Sequence, residues 1–123
     1  MSVRLGTSLA ALAAMAVLLA LPGVARAHNL SVSPRSAPLG SDFVFRGTLW
    51  QPRHRVRWFY DEFANGSFQR TGTFFAGSAG RFRFTWGGED VAATHRMCFR
   101  QFDSRPAYRR TFVKCRRFTA LEF

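Results

Sequence analysis

Cys98 and Cys115 are the only cysteines in the chain, and their setting constrains the fold more than any other feature. Each lies in a run that reads as a strand, Thr94-His95-Arg96-Met97-Cys98-Phe99-Arg100 and Tyr108-Arg109-Arg110-Thr111-Phe112-Val113-Lys114-Cys115. Between them Asp103-Ser104-Arg105-Pro106 carries the residues that turns use. A hairpin folded about Arg105–Ala107 sets Cys98 opposite Cys115, within reach of a disulfide. A metal pair would need Cys-x-x-Cys spacing and further ligands, and neither is present. The pattern therefore predicts a structural bridge and a sheet built around it. It also poses a conflict. Met97 and Phe99 lie on the face opposite Cys98, and simple register puts Arg116 and Lys114 across from them. A bulge near Lys114 would resolve this, and so would an edge position from which long side chains reach water.

A disulfide implies an oxidising compartment, and the N-terminus agrees. Arg4 precedes an apolar run from Leu9 to Leu21, Pro22-Gly23 break it, and Ala25-Arg26-Ala27 has small residues where signal peptidase reads. This predicts a secretory signal peptide over residues 1–27, cleaved after Ala27. The alternative is a retained anchor, since Leu5 to Val24 is long enough to span a bilayer. Cleavage leaves residues 28–123 as one domain, exported to the envelope or the medium. That portion holds 16 Lys and Arg against 7 Asp and Glu, a net charge of +9. Such an excess favours anionic surfaces and is neutral as to fold. All 14 phenylalanines fall in it, and large aromatics give a domain this small the buried area it needs.

Short alternating runs fill the remainder. Asn29 to Ser33, Phe43 to Leu49, Arg55 to Tyr60, Gln69 to Phe75 and Arg81 to Trp86 precede the two cysteine strands. Phe43, Phe45 and Leu49 share one face of their strand, and Val56, Trp58 and Tyr60 share one face of the next. Asn65-Gly66 is the strongest hairpin-turn dipeptide. No stretch after residue 27 carries a 3.6-residue apolar stripe of useful length. About seven strands in under 100 residues predict an all-β Greek-key sandwich, with a small barrel as the alternative.

The motif Leu30-x-Val32-x-Pro34 leads into Pro38-x-Gly40-x-x-Phe43-x-Phe45-x-Gly47-x-x-Trp50-x-Pro52. With Gly80-x-Phe82-x-Phe84-x-Trp86, it resembles the immunoglobulin-like modules of secreted and cell-surface bacterial proteins. The resemblance implies an immunoglobulin-like sandwich with Trp58 in its core, acting as a spacer or binding domain and not as an enzyme. His28-Asn29-Leu30-x-x-Ser33-Pro34, directly after the cleavage site, is similar to the start of periplasmic copper-binding proteins of the CopC type, which are also small β-sandwiches.

No catalytic motif is present: there is no Gly-x-Ser-x-Gly, His-Glu-x-x-His or phosphate loop. The expectation is a non-catalytic module. In a sandwich of this type the loop after the second strand and the last hairpin loop share a pole. That would gather Arg53, Arg55, Arg105, Arg109 and Arg110, with His54 and Tyr108 beside them. Such a pole suits anionic envelope polymer or lipid headgroups, and nucleic acid is not an expected physiological partner of an exported protein. The alternative function is copper binding. A free α-amine and imidazole on His28 would chelate Cu(II), with His54 as the third nitrogen donor. His95 should lie at the far pole and take no part.

Overall fold

A computed structural model describes residues 27–122. The signal peptide expected over 1–27 lies, apart from Ala27, outside the described residues. The described chain is all-β, with no helix, and its strands are β1 (Asn29–Ser33), β2 (Ser36–Pro38), β3 (Phe43–Thr48), β4 (Arg55–Asp61), β5 (Arg70–Phe75), β6 (Phe82–Trp86), β7 (Thr94–Asp103) and β8 (Arg110–Leu121). They form a three-stranded sheet in the order β1-β3-β6 and a five-stranded sheet in the order β2-β8-β7-β4-β5. Every pairing is antiparallel except β2 with β8. The chain changes sheets at Pro34, which divides β1 from β2.

Period-two alternation explains the two layers. Leu30, Val32, Phe43 and Phe45 turn inward from the small sheet, and Val56, Tyr60, Met97, Phe99 and Phe118 turn inward from the large one. Phe45 sits between them, with ring centroids 5.6 Å from Phe99 and 5.4 Å from Phe118. The three aromatics of β6 pack against this core, as does Trp58. Two sheets facing each other across one aromatic core are the arrangement of a β-sandwich. Gly47 and Gly72 belong to this packing. Gly47 pairs with Phe82 and Gly72 with Trp58. A Cβ on Gly47 would lie 2.1 Å from the Phe82 ring, and one on Gly72 would lie 2.5 Å from the Trp58 indole nitrogen. Each glycine thus gives a cross-strand aromatic room to lie flat on the sheet.

The hairpin takes the expected register. Cys98 pairs with Cys115, the Cα atoms are 4.0 Å apart and the sulfurs are bonded. Pairing runs unbroken from Thr94↔Thr119 to Asp103↔Arg110, so no bulge intervenes at Lys114. The edge position resolves the conflict, because β2 covers β8 only over Thr119–Leu121. Lys114 and Arg116 therefore leave the core side along an open edge, Lys114 half-buried and Arg116 exposed.

Two expectations change. The described residues hold eight strands, the added one being the three-residue β2. Leu49 does not join Phe43 and Phe45 inside: β3 ends at Thr48, Leu49 takes φ 62°, its side chain is 51% exposed, and Trp50 turns inward in its place. The Asn65-Gly66 dipeptide does lie in the hairpin connection between β4 and β5. There the buried Asp61 carboxylate accepts the Asn65 and Gly66 backbone N–H groups at 3.1 and 2.8 Å.

Candidate anion-binding pole and sheet face

The loop between β3 and β4 and the loop between β7 and β8 lie together at one pole, as the sequence predicts. Gln51 joins them through Ser104 of the second loop and through Gln101 near the end of β7. The Gln51 backbone N–H donates to Gln101 Oε1 at 2.8 Å, Gln51 Nε2 donates to Ser104 Oγ at 2.9 Å, and the Ser104 N–H donates to Gln51 Oε1 at 2.9 Å. Gln51 and Gln101 are both buried, so each loop fixes the other through amides that water cannot compete for. Left-handed backbone is concentrated here. Of the five non-glycine residues with positive φ among the described residues, His28, Leu49, Arg53 and Arg109 stand at this pole, and Ala64 is the exception. Strain of this kind persists only where surrounding structure enforces it, and it gathers at binding sites.

Beneath the loops is a buried ionic cluster. Asp103 is fully buried and receives the Arg105 side chain through Nε at 3.0 Å and Nη2 at 2.6 Å, with the Arg105 backbone N–H at 3.0 Å. Burial alone would raise the Asp103 pKa, but the hydrogen bonds and charge of Arg105 outweigh it, and the carboxyl stays below its ordinary range. The same bonds raise the pKa of Arg105. His28 is buried as well. Its ring stacks on Phe112 at 3.8 Å and meets Trp50 and Tyr108 edge-on at 5.3 and 5.5 Å. His28 Nε2 lies 2.8 Å from Asp103 Oδ2, but the approach is poorly directed, and among the described residues neither ring nitrogen has a hydrogen-bond partner. Desolvation lowers the His28 pKa, with Arg105 and Lys114 adding to it and Asp103 opposing. Burial thus favours the neutral imidazole.

The expected site residues divide into three groups. Arg105 is committed to Asp103, and Tyr108 is half-buried over His28 with the Arg105 guanidinium 4.9 Å from its ring centre. Arg53, Arg109 and Arg110 are exposed at the pole and enter no ion pair among the described residues. Arg55 opens onto the outer face of the five-stranded sheet. There it lines a groove with His54, Arg57, Arg100 and Phe102. Sequence reasoning passed over Arg57, Arg100 and Phe102, since only the β4–β7 register joins them.

The two histidines of the copper reading are placed differently from each other. The His28 backbone N–H donates to Leu49 O at 2.9 Å and its ring is enclosed, whereas His54 is exposed with Nδ1 2.8 Å from Pro52 O. Among the described residues no group of three or more His, Cys, Asp or Glu could hold a metal ion. His95 lies at the opposite end of β7, as expected. There it is buried beside Tyr60 and Glu89, with Nε2 2.9 Å from Val91 O.

Charge is polarised along the molecule. Six of the seven acids, Asp42, Asp61, Glu62, Glu89, Asp90 and Glu122, stand at or beyond the strand ends around His95. Asp61 is held there by Arg96 at 2.9 Å. The seventh acid is Asp103, which Arg105 neutralises. The loop pole is left with cations alone. No protein-family model matches the chain, and none of the curated proteins is similar to it in sequence.

Proposed function

We propose that the chain is an exported, non-catalytic module of the cell envelope or extracellular space that holds anionic polymer or lipid headgroups at its loop pole. The observation that carries this reading is the unbalanced charge there. Arg53, Arg109 and Arg110 are exposed, the one nearby acid is neutralised, and the remaining acids lie at the other end. Two elements rigidified by a buried amide network present these arginines, so little order is lost on binding. The Cys98–Cys115 bridge supports export. The strand order β1-β3-β6 and β2-β8-β7-β4-β5, with crossings between sheets after β1, β2, β3, β5 and β6, supports an immunoglobulin-like Greek key.

The test is retention of the exported protein on anionic vesicles and on anionic wall polymer as salt rises. Attraction between exposed charges is screened over about 8 Å at physiological ionic strength, so retention should fall steeply. Arg53→Gln, Arg109→Gln and Arg110→Gln together should lower low-salt retention several-fold. Retention that neither salt nor the triple variant changes would show the pole to be only a solvated surface.

A further inference from the structure

The outer face of the five-stranded sheet carries a second feature, which rests on the reading above and gives it a ligand class. On this face Arg57 of β4 stands directly across from Arg100 of β7. Arg55 follows Arg57 on the same side, about 7 Å along the strand. All three are exposed, and none enters an ion pair among the described residues. Like charges directly opposite across a sheet destabilise it, so a bound anion would relieve a repulsion that the free protein keeps. Arg100 is held in place, with its guanidinium 5.0 Å from the Phe59 ring centre.

Aromatic rings border these charges. Phe75 pairs with Arg55 across the β4–β5 edge and is 65% exposed, and Phe102 on the groove wall is 57% exposed. The face continues past the disulfide into a second hollow lined by Phe59, Phe68, Arg96 and Val113. Phe68 and Val113 are also exposed, at 46% and 54%. A soluble domain does not ordinarily leave a row of large apolar side chains on one sheet face without a partner for it. From Phe102 to Arg96 the track is about 20 Å long.

We infer that this face binds an acidic polysaccharide. Its sugar rings would lie against Phe75 and Phe102, and its carboxylate or phosphate groups would meet Arg55, Arg57 and Arg100. The alternation of ring and cation fits a polymer that repeats ring and anion. A lipid surface would supply the charge without the rings. Single-stranded nucleic acid repeats both, but the bridge of Cys98 and Cys115, which lines the second hollow of this same face, places it in an oxidising compartment. There, polysaccharides are the ring-bearing polyanions at hand.

The experiment compares four immobilised probes: polygalacturonate, which has rings and charge, polyphosphate, which has charge without rings, dextran, which has rings without charge, and single-stranded DNA, the competing polymer with both. Phe75→Ala with Phe102→Ala should weaken binding to polygalacturonate about tenfold and leave polyphosphate unchanged. Phe75→Tyr with Phe102→Tyr should restore it. Arg57→Gln with Arg100→Gln should weaken binding to polygalacturonate and to polyphosphate without lowering the melting temperature, since the pair repels. If the wild-type protein binds no anionic probe, the anion-binding function itself fails. If the pole variant loses binding while both groove pairs keep wild-type affinity, only the sheet-face site fails. Tighter binding to single-stranded DNA than to polygalacturonate would also overturn the polysaccharide assignment.

Discussion

Replacing both bridge cysteines by alanine tests how this domain is held together. The bridge closes a loop of sequence separation 17, for which chain entropy predicts about 3 kcal/mol of stabilisation. Net stabilities of small domains are about 5–15 kcal/mol, so this single bond is a large share. The structure identifies what the bond restrains. β8 is an edge strand over most of its length, since β2 covers only Thr119–Leu121, and its core side carries Lys114 and Arg116 where Met97 and Phe99 have their cross-strand neighbours. Hydrophobic contact alone therefore holds the middle of β8 weakly. A loss of 3 kcal/mol lowers the melting temperature of a domain this size by roughly 12–25 °C and the urea midpoint by roughly 1–3 M. Thermal and urea unfolding of Cys98→Ala with Cys115→Ala should show both shifts. Reduction of the wild-type protein should reproduce them, which separates loss of the bond from loss of the sulfur atoms. A melting temperature within a few degrees of the oxidised protein would refute the argument. It would mean that the unfolded chain gains almost no freedom when the bond is cut.

Two further predictions concern His28 and Gly47. Because burial lowers the His28 pKa, the unfolded chain takes up the proton first. The stability due to the neutral ring is complete above about pH 6.5 and is lost as pH falls from there toward the lowered folded value. His28→Phe keeps a ring against Phe112, Trp50 and Tyr108 and should flatten melting temperature against pH as it falls below about 6.5, whereas an unchanged slope would assign the loss to another group. Below about pH 4 both proteins should weaken together, since Asp103 and Asp61 have lowered pKa values and lose their stabilising charge there. Gly47→Ala should cost about 1–3 kcal/mol of unfolding free energy by forcing Phe82 off the sheet. Phe82→Leu in the same chain should recover part of that loss, and additive effects would exclude the contact as its cause.

What could be read in the sequence was local. Alternation located seven strands, because side chains in a half-buried strand must alternate. The cysteines registered β7 against β8, because a cross-strand bond admits few offsets. The shared pole of the two loops followed from sandwich connectivity alone. The rest depends on distant pairings that leave no mark on neighbouring residues. β2 is three residues long and pairs in parallel with a segment near the C-terminus. The Gln51–Gln101–Ser104 network joins polar residues that look like ordinary loop and strand positions. His28 reads as a free terminus, yet an aromatic cage from Trp50, Tyr108 and Phe112 encloses it. The sheet-face groove needs the β4–β7 register, which puts Arg57 across from Arg100. A row of arginines in each strand reads as a solvated face until the two rows are set side by side.

The hardest feature of the sequence, charged residues across from Met97 and Phe99, becomes intelligible once β8 is known to be an edge. A long exposed edge offers unpaired backbone groups to any other strand, and a second copy of the chain could pair there. Charged side chains on the core-facing side of such an edge oppose that pairing, because docking another strand would bury them. Lys114 and Arg116 occupy those positions. Replacing both by leucine would satisfy the apolar pattern of β7 and remove the charge from the edge. That variant should gain thermal stability as a monomer at low concentration and associate as concentration rises, with sedimentation as the readout. Monomeric behaviour up to millimolar concentration would show that the edge needs no such protection and that the two charges are there for another reason.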